Sequence, residues 1–166
     1  LEAVPAVREN EMDVQRFFKI LIEIESRLAE LYGWFSEVYA EDAEASALFY
    51  RMARDERSHV ALIQYERRLL RKEKDLSFKV DLSPKELEDT ACEVSKLLLL
   101  RSSPSLPEAL GLALRFENSA AENHMEGIEI REAPGLSRLL KSLGREDRKH
   151  YSDLAAFAKK RGIAAP

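Results

Sequence analysis

The sequence predicts an all-α chain, a four-helix bundle with one long crossover connection that contains an extra helix. Three observations predict it. Apolar residues recur at alternating steps of three and four along four long stretches. Breakers are few, with 6 Gly and 6 Pro in 166 residues, which favours long helices over many short strands. Two links between the stretches are short and one is long, and two antiparallel hairpins joined by a long connection make a bundle with a single crossover.

The first predicted helix runs from Met12 to about Ala40, with Phe18, Leu21, Glu25, Leu28, Tyr32, Phe35 and Tyr39 on one face. Glu41–Asp42 form the first short link. The second helix runs from about Ala45 to Lys74, with Leu48, Met52, Glu56, His59, Ile63 and Leu70 on its stripe and Arg67 as the odd member. A connection from Asp75 to Ser105 follows, too long for a structureless loop. It begins with an extended piece, Phe78–Val80–Leu82. Ser83, Pro84 and Glu86 then read as N-cap, first helical residue and capping-box partner of a helix ending near Arg101. The third bundle helix spans Pro107 to Glu132, with Leu110, Ala113, Glu117, Ala120, His124 and Ile128 aligned. Ala133, Pro134 and Gly135 turn the chain. The fourth helix runs from about Leu136 to Arg161, with Leu136, Leu139 or Leu140, Leu143, Asp147, His150, Leu154 and Phe157 inward. Gly162 stands where a C-terminal cap belongs, after Lys159, Lys160 and Arg161, whose charges suit the negative end of the helix dipole. No boundary or low-complexity tract divides residues 1–166, which read as a single domain.

Composition removes several function classes. Basic and acidic residues number 26 and 30, a net charge of −4 with interspersed signs, so there is no basic stripe for nucleic acid. Apolar runs such as Leu97–Leu100 fall far short of the roughly 18–20 residues that span a bilayer. One cysteine, Cys92, excludes an internal disulfide framework and any Cys-rich metal centre within one chain; it is expected to pack in the crossover helix as a small apolar residue. Low cysteine use favours a reducing, cytoplasmic setting. The chain starts at Leu1 rather than Met, and the expectation is that a native start lies upstream. The Leu97–Leu100 run exceeds what one helix face buries, so part of it is expected to meet a second copy in a homodimer.

The informative anomaly is six polar residues on the inward stripes. The second helix carries Glu56-x-x-His59 and the fourth Asp147-x-x-His150, while the first and third each place one carboxylate inward, Glu25 and Glu117. Each hairpin repeats the pattern of a carboxylate followed about thirty residues later by carboxylate-x-x-His. Seven residues past the first carboxylates stand Tyr32 and His124, two turns along the same faces. Burying a carboxylate costs several kcal/mol, of the order of a broken ion pair, unless it is compensated. Four facing one another cannot all stay ionised without a cation. Two divalent ions supply the opposing charge, and i, i+3 spacing sets an imidazole beside a carboxylate. This is the ligand pattern of dinuclear carboxylate bundles. With 30 acidic residues and 3 histidines in the chain, the six-position match has a chance frequency on the order of 10⁻⁷ per alignment. Asp147 competes with Glu146, which stands i, i+4 from His150; the stripe favours Asp147.

The residues themselves resemble a known group. Glu25-Ser-Arg-Leu-Ala-Glu-Leu-Tyr32, Ala53-Arg-Asp-Glu56-Arg-Ser-His59, Phe116-Glu117-Asn118 with Ala120 and Ala121, and Asp147-Arg-Lys-His150 are similar to the four helix motifs of the rubrerythrin group within the ferritin-like di-iron carboxylate superfamily. The resemblance covers roughly residues 12–160. It implies a non-haem site for two iron ions, with manganese or zinc compatible with the donor set. Glu25 and Glu117 would be terminal ligands, Glu56 and Asp147 bridges, and His59 and His150 nitrogen ligands, with Tyr32 and His124 tuning or protonating a bound oxidant. It further implies reduction of H2O2 or O2. The rubredoxin-like Cys₄ domain of rubrerythrins is absent from a chain with one cysteine, so the electron donor would be external. Ala120 stands where the group tends to have a further Glu, and Asp147 replaces the usual Glu with a shorter reach. Competing expectations are a ferroxidase or iron-storage module, a substrate hydroxylase, and a metal-free helical interaction scaffold.

Overall fold

The computed structural model describes residues 11–72, 77–79, 84–101, 103–119 and 134–164. The chain is all-α. Among the described residues there are five helices: α1 (Val14–Val38), α2 (Ala43–Leu69), α3 (Pro84–Leu100), α4 (Leu106–Glu117) and α5 (Pro134–Lys160). A short 3₁₀ turn, Leu70–Lys72, extends α2. Two three-residue strands, β1 (Glu11–Asp13) and β2 (Ser77–Lys79), pair antiparallel with Met12 opposite Phe78. The extended piece foreseen in the crossover is therefore realised at Ser77–Lys79, and its partner delays α1 to Val14. Val80 and Leu82 lie outside the described residues.

Helix boundaries follow local chemistry. Asp42 caps α2, its carboxylate accepting from the Ala45 N–H at 3.1 Å, which satisfies one of the orphan donors of the first turn. At α4, Glu108 accepts from both the N–H and the O–H of Ser105, each at 2.7 Å. This third bundle helix departs from the expectation of a run to Glu132: it ends at Glu117, where the N–H of Asn118 closes onto the Leu114 carbonyl. Asn and Ser compete for backbone hydrogen bonds and weaken helix continuation. Residues 120–133, including Ala120 and His124, lie outside the described residues. Pro134, expected in a turn, is instead the first residue of α5, a position where its missing N–H is harmless. Gly162 takes the left-handed conformation (φ +66°) that ends α5, with its N–H on the Lys159 carbonyl.

α1 packs along α2 and α3, while α5 packs against α4 and α2. A continuous core runs through Phe17, Phe18, Leu21, Ile24, Leu28, Phe35, Phe49, Met52, Leu110, Ala113, Leu140, Leu143 and Leu154. α2 and α5 run antiparallel in one register. Arg161 pairs with Asp42 at 2.7 Å, Asp55 lies 3.5 Å from His150, His59 lies 3.7 Å from Glu146, and the Glu66 side chain lies against Gly135. That register brings Glu56-x-x-His59 and Asp147-x-x-His150 to the same level. On α3, the buried line is Leu87, Ala91 and Val94. Cys92 stands about 100° off that line and is exposed, which corrects the expectation that it packs. Leu99 and Leu100 are 84% and 74% exposed. No described helix is long and apolar enough to cross a membrane.

Candidate metal centre

Each of the six polar residues is positioned by the apolar stripe that carries it. Glu25 lies one turn from Leu21 and Leu28 on α1, Glu56 follows Met52 on α2, Glu117 follows Ala113 on α4, and Asp147 follows Leu143 on α5. Burying those apolar neighbours drags the carboxylates and their i+3 histidines inward. Glu25, Glu56, His59, Glu117, Asp147 and His150 are the buried polar or charged residues among those described, none more than 2% exposed. Glu23 and Glu30, off the stripe of α1, are exposed.

The geometry is built around Glu56. His59 Nδ1 lies 2.9 Å from Glu56 Oε2 and 3.2 Å from Glu25 Oε2. His150 Nδ1 lies 3.1 Å from Glu56 Oε1 and 3.5 Å from Glu117 Oε2. One carboxylate thus faces two histidines through its two oxygens, and each histidine is shared with a second carboxylate from the other helix of its hairpin. Two candidate ligand groups result, Glu25–Glu56–His59 and Glu56–Glu117–His150, with donor atoms within 4.8 Å of one another in each group. The imidazole rings lie 6.0 Å apart, inclined by 27°. Asp147 is also buried but belongs to neither group; its side chain is one methylene shorter than that of a Glu. Tyr32, fully buried, donates its O–H to Glu117 Oε1 at 2.6 Å and stacks near Phe49.

The outer nitrogens of the histidines reveal two residues in a supporting place. Asp55 Oδ2 lies 3.5 Å from His150 Nε2, and Glu146 Oε2 lies 3.7 Å from His59 Nε2. Each is the residue immediately before the inward carboxylate of its own helix, and each faces the histidine of the other. Glu146, half exposed, therefore approaches the outer nitrogen of a histidine, whereas its neighbour Asp147 is buried. Asp55 was not foreseen. Its signal in the sequence is that the hairpin repeat extends one residue upstream, acid-acid-x-x-His in both helices.

The electrostatics follow from crowding. Burial pulls the His59 imidazole down, but Glu25 and Glu56 outweigh it and push it up to about 11. His150 is likewise driven up to about 11 by Glu117 and Glu56 against the effect of burial. Burial raises the Glu56 carboxyl, yet His150 and His59 hold it well below the usual carboxylate range. Glu117 moves the other way: burial raises it and the Glu56 charge adds to this, more than His150 offsets. Without a cation the cluster can hold two imidazolium charges against four carboxylates, and Glu117 leans toward a proton. Two divalent ions at the Nδ1 positions would remove that imbalance, and Nδ1, carboxylate and carboxylate is a donor set suited to iron, manganese or zinc. The residues present fit a dinuclear metal group. Comparison with protein-family models, with characterised proteins and with solved structures finds no match to this chain.

Proposed function

We propose that the chain is a ferritin-like four-helix bundle, with α1, α2, α4 and α5 as its members and α3 in the crossover, that holds two iron ions and reduces peroxide or O2 with electrons from an external donor. The observation that carries this reading is the burial of six ionisable residues from four helices, all nearly inaccessible, four of which (Glu25, His59, Glu117 and His150) form two candidate ligand groups that share Glu56. Glu25, Glu56 and His59 would hold one ion, and Glu56, Glu117 and His150 the other, with Asp147 completing the set. When bound, a pair of reduced irons supplies two electrons to an oxidant. The chain's own part is to exclude water with the surrounding Phe, Leu and Ile side chains, to keep the imidazoles oriented through Asp55 and Glu146, and to hold a proton at Tyr32 Oη beside Glu117. Exposed Leu99 and Leu100 offer an apolar contact to a second copy in a homodimer.

The experiment is anaerobic loading with Fe(II) followed by stopped-flow mixing with H2O2 or with O2. Two-electron reduction of H2O2 to two waters consumes two protons and oxidises two Fe(II). Oxidation is therefore expected to finish at one H2O2 per two irons, with the irons reducible again by a chemical donor. Iron that leaves the chain as mineral would favour storage instead. One observation favours a metal-free scaffold as the second reading: each Nδ1 already has carboxylates at ion-pair distance. That scaffold would bind no iron and ignore chelators.

A further inference from the structure

The inward stripe of α2 carries one residue that the metal centre leaves unused. Arg67 lies between Ile63 and Leu70 on that stripe and is half-buried. Its Nε–H donates to Gln15 Oε1 of α1 at 3.2 Å, and Gln15 Nε2 donates to the Leu70 carbonyl at 3.5 Å. The guanidinium is thus anchored along its Nε edge, which leaves the two terminal nitrogens for another acceptor. Around it lies a pocket of about 350 Å³ lined by Gln15, Ile22, Gln64, Arg67, Arg68 and Arg71. Three guanidinium groups and two amides line it, with no carboxylate among its described lining residues, in a chain whose net charge is −4. None of the three arginines forms an ion pair with a described residue. By contrast Arg16, Arg27, Arg54, Arg115 and Arg161 all have carboxylate partners.

We propose that this pocket binds a phosphoryl group, free or as a phosphate ester. Guanidinium forks match phosphate oxygens in pairs, and three of them balance a multiply charged phosphate better than a single carboxylate. The volume exceeds that of a phosphate, leaving room beside Ile22 for part of the group that carries it. Basic side chains at the end of α2 also complement its dipole. That role is served by side chains splayed into solvent, and it requires neither the anchoring of Arg67 to a second helix nor a concave wall. The pocket stands about 12 Å along α2 from His59, at 1.5 Å per residue, and its assignment does not depend on the metal reading.

The test is isothermal titration of the full chain, with and without bound metal, using sodium phosphate and sodium pyrophosphate at low ionic strength. One pyrophosphate per chain is expected, weakening as salt rises. The exposed double variant Arg68→Ala/Arg71→Ala should bind at least tenfold more weakly, as should Arg67→Gln, while Arg51→Ala and Arg138→Ala, exposed elsewhere, should bind as the parent does. Co-sedimentation with phosphatidic acid vesicles separates the sources. Pelleting that pyrophosphate reverses marks a lipid headgroup, and pyrophosphate binding without pelleting marks a soluble ligand. Failure of the folded parent to bind pyrophosphate overturns the proposal, as does an equal loss in the Arg51 and Arg138 variants. The double variant carries the test should Arg67→Gln fail to fold.

Discussion

Filling the Glu56 cluster with metal should expel protons, and their number can be worked from the structure. In the metal-free chain His59 and His150 are pushed up to about 11, so at pH 7 both carry a proton on nearly every molecule. The nitrogens nearest the carboxylates are the Nδ1 atoms, and ligation there requires them to be deprotonated. Two protons per chain must leave, and Glu117, whose carboxyl is raised mainly by burial, can only add to that number. The cluster then gains about two net positive charges rather than four. Zn(II), which has no redox chemistry, is the cleanest probe. Titrating it calorimetrically in buffers of different ionisation enthalpy gives the proton count as the slope of heat against that enthalpy. A slope near two per chain, with the affinity for each ion rising about tenfold per pH unit around neutrality, is the expected result. A slope of zero would mean that the ions bind elsewhere or that the histidines are not ligands, and would refute the reasoning.

Three further outcomes follow from single contacts. Tyr32→Phe removes the donor to Glu117 Oε1 and leaves a buried acceptor, costing about 1–3 kcal/mol; the metal-free chain should lose several degrees of Tm, and an unchanged Tm would show that the bond contributes nothing. Asp55→Asn should weaken metal binding about 10–100-fold in a chelator competition while leaving two ions per chain at saturation, as expected when the partner behind a ligating histidine is altered. Glu146→Gln should do so by less, because Glu146 is farther from its histidine and half exposed. Burial, with the Glu108 charge adding to it, pushes the Tyr39 hydroxyl up to about 12. The unfolded chain releases that proton near pH 10 while the folded chain keeps it, so this contribution is intact below pH 10 and is lost between pH 10 and 12. The loss is about 1 kcal/mol after discounting for the partly exposed ring, and Tyr39→Phe, which also removes the bond to the Pro104 carbonyl, should flatten urea-derived stability across that window.

The helices and the six buried polar residues were legible because burial of charge is an anomaly that periodicity exposes. Glu25, Glu56, Glu117 and Asp147 stand where Leu or Ile would otherwise stand, and the steps of three and four along each stripe carry them inward together. Asp55 was hidden because it lies off the stripe, where an acid reads as an ordinary solvated charge; only the antiparallel register of α2 and α5 brings it behind His150. The early end of α4 was hidden for the opposite reason. Glu117 and Ala120 kept the apolar spacing intact, so nothing in the pattern signalled the Asn118–Ser119 break. Arg67 was visible as an odd member of its stripe, but its bond to Gln15 depends on how α1 and α2 pack, which spacing does not encode. The pairing of Glu11–Asp13 with Ser77–Lys79 joins segments more than sixty residues apart, a contact beyond the reach of local propensity.

The most direct test of the account is the metal content of the full chain after anaerobic Fe(II) loading and removal of loosely bound ions, measured beside Glu56→Ala. Two irons per parent chain are expected, with loss of both sites in the variant, since Glu56 is the carboxylate common to the two candidate ligand groups. No retained iron in the parent, or two irons in a folded Glu56→Ala chain, would contradict it.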